Sequence, residues 1–231
     1  MITLFICLAN SKKYYERCVA GVVVSKNQKG NYIILKENDK HQWIRPVTAE
    51  NNGQVPSNLV GHINLLDIVE IDLKEKIPNG YQSENVLFKS DSLKIIGKIG
   101  ADNANINLLA ANAQINIFGN WGKAVHKDKI GEVTNSLTLI RVGNPEVYIR
   151  TEYTTEQYRL KFIFNSRAYD LPITDVKFIE YCKSLGDAIV LTDILKGDIF
   201  ITISLGVEHK GFYYKLVAGI IQEDILKKEN K

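Results

Sequence analysis

Cysteine and histidine are scarce in this sequence, and so are the motifs that they build in metal sites. The 231 residues contain three cysteines and four histidines, with no CxxC pair and no zinc-ligand spacing. No GxxxxGK[ST], GxSxG or HExxH segment is present. We therefore predict reduced thiols in a cytoplasmic protein that uses no metal and no cofactor.

Long hydrophobic runs are also missing. The opening "MITLFICLAN" is apolar but short, and the polar "NSKKYYER" follows it at once. This pattern predicts a buried strand and not a signal peptide, which would begin with a basic segment. No run reaches the roughly 18 apolar residues of a membrane span, so we expect no membrane partner.

Net charge is small for a protein that would bind nucleic acid by charge alone. The formal net charge is +3: residues 1–100 hold 13 Lys or Arg against 10 Asp or Glu, and the remainder holds 16 against 16. A committed nucleic-acid binder usually concentrates basic residues in one patch. The charge therefore permits a nucleic-acid partner without indicating one.

Strand signals dominate what the sequence does contain. Short β-branched segments bounded by turn residues recur along the chain, and "LLDIVEIDL" (65–73) alternates except at Val69, where we expect a bulge. "YRLKFIFNSRAYDL" indicates a hairpin closed by Asn165 and Ser166. An Ala- and Asn-rich stretch, 101–122, predicts one or two helices, and a later helix over 174–186 is expected to begin at Thr174.

The order of these segments predicts a mainly β protein made of two tandem OB-like β-barrels joined by a short helical connector. About five strands precede the connector and about six follow it, which suits two small barrels. We place the first barrel at 1–100, the connector at 101–135 and the second barrel at 136–231.

Several blocks of the sequence resemble a known family. The first half contains "ICLANSKKYYERCVAGV", "WIRPVT", "LLDIVEIDL" and "YQSENVLF"; the second contains "SLTLIRV", "FNSRAYDLPITD" and "ISLGVEHKGFYYKLVAGII". In this order they are similar to prokaryotic dual OB-fold domain-containing proteins. The resemblance implies tandem OB-like barrels that recognise nucleic acid in prokaryotic defence systems. One departure is the long insert "SKNQKGNYIILKENDKHQ", where the resemblance implies a shorter turn.

The segment "WIRPVT" supplies the first candidate binding residues. In a strand, Trp43 and Arg45 point to the same face, where an indole could stack on a base while a guanidinium reaches phosphate. The alternative is that Trp43 plugs a barrel end and Arg45 pairs with an internal carboxylate.

The segment "ANSKKYYERCVAG" interleaves basic and aromatic residues, a pattern that suits single-stranded nucleic acid. In OB folds the first connecting loop often contacts the ligand. The alternative is a solvated loop. The candidate binding residues here are Asn10, Ser11, Lys12, Lys13, Tyr14 (with Tyr15 as a second stacking ring) and Arg17.

Candidates elsewhere carry weaker signals. Lys215, in "GFYYK", could contact phosphate, although core packing accounts for its aromatic neighbours. Asp170 and Asp175 lack a third metal ligand nearby, and a carboxylate at a helix start suits Asp175 better than a metal. The polar residues of "YQSENVLF" favour a structural role.

The sequence supports three functional hypotheses. The first is a non-catalytic recognition module for single-stranded DNA or RNA, or for a nucleic-acid end. The second is a protein-interaction accessory subunit of a multi-component system. The third is an enzyme such as a nuclease, which the sequence supports least because it shows no cluster of acid, base and nucleophile.

Overall fold

The computed structural model describes residues 1–49, 53–100, 104–111, 115–152, 155–186 and 191–222. The chain divides into two compact units, Met1–Asn107 and Leu108–Lys231. Parts of the predicted connector, 101–103 and 112–114, lie outside the described residues. The connector bounds of 101–135 stay a prediction.

The first unit is built mostly of strands. Helix α1 (Ser57–Val60) is short, and a second helix, α2 (Ala104–Ala111), spans the division between the units. The strands are β1 (Ile2–Lys13), β2 (Glu16–Lys26), β3 (Tyr32–Ile34), β4 (Lys36–Glu37), β5 (Lys40–His41), β6 (Trp43–Val47), β7 (Asp67–Lys76), β8 (Asn85–Phe88) and β9 (Lys94–Lys98).

Five of these strands close into a barrel. Going round it, β1 pairs with β2, β2 with β6, β6 with β8, β8 with β7, and β7 with β1 again. Every pairing is antiparallel except that of β6 with β8, the third and fifth barrel strands in chain order. A five-stranded closed barrel with this order, and with a helix between the third and fourth strands, is an OB fold.

The barrel strands bury both faces along much of their length. The run from Phe5 to Ser11 in β1 and the run from Val19 to Val24 in β2 are buried at every residue. This explains why β1 reads as a continuous apolar stretch and not as an alternating one. In β7 the register against β9 shifts between Ile68 and Val69, which confirms the predicted bulge.

The unusual insert extends the hairpin that follows β2. Strand β3 continues the sheet by pairing with β2 through Val24 and Ile34, Ser25 and Ile33, and Lys26 and Tyr32. Strands β4 and β5 then form a two-stranded ribbon. Asn38 and Asp39 lie at its turn with φ of 50° and 61°, a conformation that Asn and Asp tolerate better than most residues.

The second unit has the same order of barrel strands and helix as the first. Its helix α3 (Val176–Ser184) again lies between the third and fourth barrel strands. The strands are β10 (Ala124–His126), β11 (Leu137–Gly143), β12 (Glu146–Glu152), β13 (Thr155–Phe164), β14 (Arg167–Pro172), β15 (Asp198–His209) and β16 (Phe212–Ile221).

Here the first barrel strand is broken in two. Strand β11 pairs with β15, whereas β12 pairs with β13, and the chain kinks between them at Asn144 and Pro145. Asn144 has a φ of 43°, its N–H donates to the Gly197 carbonyl at 2.8 Å, and its side chain accepts from the Gly197 N–H at 2.8 Å. These bonds fix the kink and direct the two halves into different sheets.

The parallel contact between the third and fifth strands is almost lost in this unit. Strands β14 and β16 are linked by one bridge, between Ile173 and Val217, and by the Thr174 N–H and hydroxyl, which both donate to the Val217 carbonyl. Strands β14 and β16 therefore separate away from this bridge. On the same edge β16 pairs with β10 from Phe212 to Tyr214, and on its other edge it pairs with β15.

Pro172 lies at the point where the seam opens. The Ile173 N–H points to β13, where it donates to the Tyr158 carbonyl, and the Thr174 N–H points to β16. Because successive residues alternate in direction, the nitrogen of Pro172 lies on the β16 side. Proline has no hydrogen there, so this residue cannot donate to β16, and the edge of β16 before the bridge pairs with β10 instead.

The hairpin predicted at Asn165 and Ser166 is confirmed, since β13 and β14 pair up to Phe164 and Arg167 and both turn residues have positive φ. The predicted start of α3 is wrong by one residue. Asp175, not Thr174, is the N-cap: one carboxylate oxygen accepts from the Phe178 N–H at 3.2 Å and the other from the Ile220 N–H at 2.9 Å.

Replacing Gly21 with alanine tests the close approach of β1 to β2. A Cβ on Gly21 would lie 1.8 Å from the Ile6 carbonyl oxygen on β1, so the strands would have to separate. We expect Gly21→Ala to lower the free energy of unfolding by about 1–3 kcal/mol in urea titrations. Gly131→Ala is the matched control because, among the described residues, no neighbour lies within 4 Å of its Cβ position. Equal stability of the two variants would contradict the strand packing described.

Candidate nucleic-acid interface

A two-residue turn joins β1 to β2 and exposes two tyrosines. The ladder runs to the pair Lys13 and Glu16, and Tyr14, with a φ of 54°, begins the turn. Tyr15 is 96% exposed and Tyr14 is 51% exposed. We call Lys12, Lys13, Tyr14, Tyr15 and Arg17 the hairpin-tip surface.

Two cations of the hairpin-tip surface share one face, while Lys13, directly opposite Glu16, lies on the other face. Lys12 and Arg17 are directly opposite each other across the β1–β2 ladder, so their side chains share one face and their like charges repel. Lys13 is half-buried, and burial lowers its pKa; Cys18 opposes this shift and Arg45 adds to it. An anion placed over the tip would relieve this repulsion.

Two contacts anchor the hairpin to the segment before α1. The Ser57 N–H donates to the Glu16 carboxylate at 2.5 Å, and hydrogen bonds from Ser57 lower the pKa of Glu16. Arg17 and Val55 exchange backbone hydrogen bonds of 3.1 and 2.9 Å. The two tyrosines therefore project from a fixed base, which reduces the conformational entropy that binding would cost.

Asn10 and Ser11 lie beneath the hairpin-tip surface, inside the barrel wall. The Asn10 amide donates to the carbonyls of Val60 and Ile63 at 3.0 and 2.9 Å, and the Ser11 hydroxyl donates to the Cys18 carbonyl at 3.5 Å. Both residues are buried. In this position they fix the chain that follows α1, and their geometry favours this structural role over contact with a ligand.

Arg45 is also enclosed. It is 1% exposed, and its guanidinium contacts the Glu84 carboxylate at 3.0 Å, with both side chains buried. The backbones of the two residues are also in contact, because the Arg45 N–H donates to the Glu84 carbonyl at 2.8 Å. This is the internal ion pair that the sequence left open as the alternative to phosphate binding.

Trp43 is not beside the hairpin tip. It is half-buried and pairs with Val22, six residues along β2 from Glu16, which is roughly 20 Å at the rise of a strand. The structure therefore brings Lys12, Lys13, Tyr14 and Arg17 together but separates Trp43 from them. A stacking role for Trp43 stays a prediction.

The second unit contains a cleft of about 290 Å³ at its open seam. One wall is the solvent-facing side of β12, β13 and β14, and the other is β16 with the residues just before β10. Four cationic side chains and one carboxylate of the described residues line it. We call Lys123, Arg150, Arg159, Asp170, Tyr214 and Lys215 the seam cleft.

Arg159 organises the first wall of the seam cleft. Its Nε donates to Asp170 at 2.8 Å and to the Tyr148 hydroxyl at 3.2 Å, and its Nη1 donates to the Gln157 side chain at 2.5 Å. Burial alone would raise the pKa of Asp170, but hydrogen bonds from Arg159 and Tyr148 bring it below its usual value. The carboxylate is therefore ionised and already matched to one cation.

Lys215, on β16, is fully buried against neutral groups on the core side of β14. Its ammonium donates to the Asn120 backbone carbonyl at 3.0 Å and to the Asn120 side-chain oxygen at 2.7 Å, and lies 5.5 Å from the centre of the Tyr169 ring. Burial lowers the pKa of Lys215 to about 7. The sequence singled out Lys215 but not Lys123, Arg150 or Arg159, which no local motif connects.

The carboxylates considered for a metal serve other purposes. Asp170 binds Arg159 and Tyr148, and Asp175 caps α3. Within the described ranges, no group of three or more His, Cys, Asp or Glu side chains could hold a metal ion. In the same part of the chain, no helix is long and apolar enough to cross a membrane.

The strand order and the parallel third-to-fifth contact in both units define the class of the protein, two OB folds in tandem. The chain belongs to the Dual OB-containing domain family, whose model matches residues 4–220. This confirms the resemblance found in the sequence and the predicted fold class. No curated protein matches the sequence.

Several solved structures are similar to this chain at low sequence identity. Tetrameric p202 HIN2 is 10% identical, covers 96% of this chain and 92% of its own, and has a TM-score of 0.29. A murine DNA binding protein bound with double-stranded DNA is 5% identical over 96% of each chain, with a TM-score of 0.34. A replication protein A heterotrimer bound to single-stranded DNA is 8% identical over 99% of this chain and 51% of its own, with a TM-score of 0.31. Similarity at this level says nothing about the ligand of this chain.

Removing Arg45 separates its structural role from a binding role. Arg45→Met leaves the Glu84 carboxylate buried without its cation, so we expect a loss of about 3–5 kcal/mol in the free energy of unfolding. The double variant Arg45→Met with Glu84→Gln should recover most of that loss. Urea denaturation in a Trp121→Phe background, where Trp43 reports on the first unit, measures both. Wild-type stability of Arg45→Met would show that the ion pair does not support the barrel.

Removing Lys215 is expected to raise the free energy of unfolding, whereas removing Arg45 lowers it. Because its folded pKa, about 7, lies below its unfolded value near 10.5, charging Lys215 destabilises the folded state increasingly as pH falls from about 10.5 to 7. Lys215→Met should therefore be more stable than the parent at pH 7, by on the order of 1–4 kcal/mol, and the difference should shrink towards pH 10. Denaturation at several pH values in a Trp43→Phe background, where Trp121 reports on the second unit, measures this. A difference that is independent of pH would contradict the shifted pKa.

Proposed function

We propose that this protein is a non-catalytic recognition module that binds single-stranded nucleic acid through the hairpin-tip surface. The observation that carries the proposal is the pairing of Lys12 with Arg17 at the base of a turn that exposes Tyr14 and Tyr15. The family resemblance to nucleic-acid recognition proteins supports it. The prokaryotic defence setting and cytoplasmic location remain predictions.

Stacking is the contribution that the two tyrosines offer. A phenol ring presents the same flat surface to every base, so stacking is tolerant of sequence and is worth roughly 1–3 kcal/mol per base. Tyr15 is almost wholly exposed, and its apolar ring gains nothing from the barrel in that position. A base that covered it would bury this ring.

The cations of the hairpin-tip surface contribute the electrostatic part. Lys12, Lys13 and Arg17 could each neutralise one phosphate, and each neutralised phosphate of a single strand contributes about −0.7 to the slope of log affinity against log salt. We therefore expect a total slope of about −2. Such a small slope is consistent with the modest net charge of +3 and implies that affinity depends on stacking as well.

Charge removal at the hairpin tip is expected to weaken binding without harming the fold. With fluorescein-labelled dT10 and U10 in anisotropy titrations, Lys12→Gln with Arg17→Gln should reduce affinity at least about tenfold at low salt and flatten the salt slope by about 1.4. Tyr15→Ala should reduce affinity by about 5- to 150-fold, the equivalent of one stacked base. Comparison of dT10 with U10 also shows whether DNA or RNA is preferred.

The matched control is Lys94→Gln, which removes one exposed charge from β9 and should change affinity little. Undetectable binding of the parent protein to both oligonucleotides at low salt would overturn the proposal. So would equal losses in Lys94→Gln and the hairpin-tip variants. The accessory-subunit alternative would then gain support from a protein partner that stays bound in nuclease and high salt.

A further inference from the structure

A cluster of aromatic rings lies on the solvent side of the second unit, away from its core. It has four members on three adjacent strands, which we call the ring surface: His126 on β10, His209 on β15, and Phe212 and Tyr214 on β16. Phe212 is 40% exposed, the side chain of His126 is 44% exposed, His209 is exposed and Tyr214 is half-buried. Polar β-branched residues also suit exposed strand positions, so strand formation alone does not account for these rings.

Strand pairing brings the members of the ring surface to one face of the sheet. His126 is directly opposite Phe212 across β10 and β16, and Phe212 is directly opposite His209 across β16 and β15. Tyr214 lies on the same face, because side chains two residues apart in a strand point the same way. The other face is the core side, where Val125 is buried. Strand β10 is additional to the five barrel strands, so the OB fold by itself does not produce this surface.

The rings contact one another at steep angles. The centroids of His126 and Phe212 are 5.0 Å apart with the ring planes at 77°, and those of Phe212 and Tyr214 are 6.3 Å apart at 50°. The centroids of His209 and Tyr214 are 6.4 Å apart at 54°. Cross-strand ring pairs stabilise a sheet, but at these angles the rings do not cover each other's flat surfaces as parallel stacked rings would. The ring surface therefore keeps flat aromatic area on which another planar group can stack.

Lysines flank the ring surface at both ends. The Lys127 N–H donates to the Gly211 carbonyl at 2.9 Å, which places Lys127 at the β15–β16 turn beside Lys210. Lys123 lies at the other end, where it lines the seam cleft together with Tyr214. All three lysines are exposed. Lysine is depleted at protein–protein interfaces but is a usual contact for phosphate, so these flanking residues favour nucleic acid over a protein partner.

Two carboxylates lie near the same turn. Glu208 accepts a hydrogen bond from the Gly211 N–H, and the Asp128 carboxylate lies 3.3 Å from Nδ1 of His126. The three flanking lysines exceed these two carboxylates by one positive charge. Attraction of phosphate at the ring surface is therefore modest, and stacking would supply most of the affinity.

We propose that the ring surface is a second binding site for single-stranded nucleic acid, at which Phe212 and His126 stack on bases while the flanking lysines contact phosphates. The proposal rests on the proposed function for the class of its ligand. It uses the other unit of the chain and none of the residues of the hairpin-tip surface. Because every base has a flat face, the site accepts bases of any identity.

Photocrosslinking examines the two surfaces separately in one sample of the whole chain. The probe is U10 carrying 5-iodouracil, a base that forms adducts with rings on which it stacks, and mass spectrometry of the digested protein locates each adduct. We expect adducts on the peptide that contains Tyr14 and Tyr15 and on the peptide that contains Phe212 and Tyr214. Adducts at the ring surface alone would support this proposal and overturn the proposed function. Adducts at the hairpin tip alone would overturn this proposal and support the proposed function.

Ring variants are compared in a chain whose hairpin tip is disabled by Lys12→Gln, Arg17→Gln and Tyr15→Ala. Anisotropy titrations of this background with fluorescein-labelled dT10 measure the residual binding. Phe212→Leu with Tyr214→Leu removes two rings but keeps apolar side chains in β16, and should weaken the residual binding by at least about 5- to 150-fold, the equivalent of one stacked base.

A second variant and a matched control complete the set. His126→Gln changes β10 only and leaves both rings of β16 in place, and it should also weaken the residual binding. Tyr181→Leu makes the same change of ring to leucine on α3, and should bind as the background does. Helix α3 begins at the far end of β16, where Asp175 accepts from the Ile220 N–H. Far-UV circular dichroism checks that each variant is folded.

Three results in these titrations would overturn the ring-surface proposal. The first is the absence of residual dT10 binding at millimolar protein once the hairpin tip is disabled. The second is unchanged residual binding in both His126→Gln and the double variant of Phe212 and Tyr214. The third is a loss in Tyr181→Leu as large as the loss in the ring variants.

Discussion

The contact between the third and fifth barrel strands is the constraint on which both units depend. In the first unit β6 and β8 form a parallel ladder at three successive residue pairs and the barrel closes. In the second unit Pro172 has no N–H to offer β16, and the ladder shrinks to the bridge between Ile173 and Val217. On the same edge β16 pairs instead with β10, from Phe212 to Tyr214, and the seam cleft lies where β14 and β16 separate.

Near this contact the first unit buries Arg45 and the second unit buries Arg159 and Lys215, and Lys215 differs from the other two in having no carboxylate as its partner among the described residues. Arg45 lies on β6, within the closed ladder, and Glu84, just before β8, compensates its charge. Lys215 lies on β16, where the ladder has ended, and its described partners are the neutral Asn120 and Tyr169. A compensated buried ion pair holds a structure together, whereas a cation buried among neutral groups costs free energy, and this burial lowers the pKa of Lys215 to about 7.

Local pattern predicted much of the fold and little of the site. The β-branched runs located most of the strands, the break at Val69 located the bulge, and Asn165 with Ser166 located a hairpin turn. The short strand β8 and the still shorter β10 were missed, because three or four residues carry no periodicity of their own. Arg45 meets Glu84 across 39 residues, and the seam cleft gathers residues from Lys123 to Lys215; such contacts depend on strand pairing, which local sequence does not encode. The aromatic and basic cluster at the hairpin tip was visible because it is contiguous.

The claim that the open seam leaves Lys215 without a compensating anion is tested most directly by measuring its pKa. Proteins labelled with ¹³C at lysine Cε allow each ammonium group to be titrated by NMR, and comparison with Lys215→Met assigns the resonance. The account predicts a midpoint of about 7 for Lys215 in phosphate-free buffer. A midpoint near 10.5, the ordinary value for lysine, would show that Lys215 is hydrated or paired and would contradict the account.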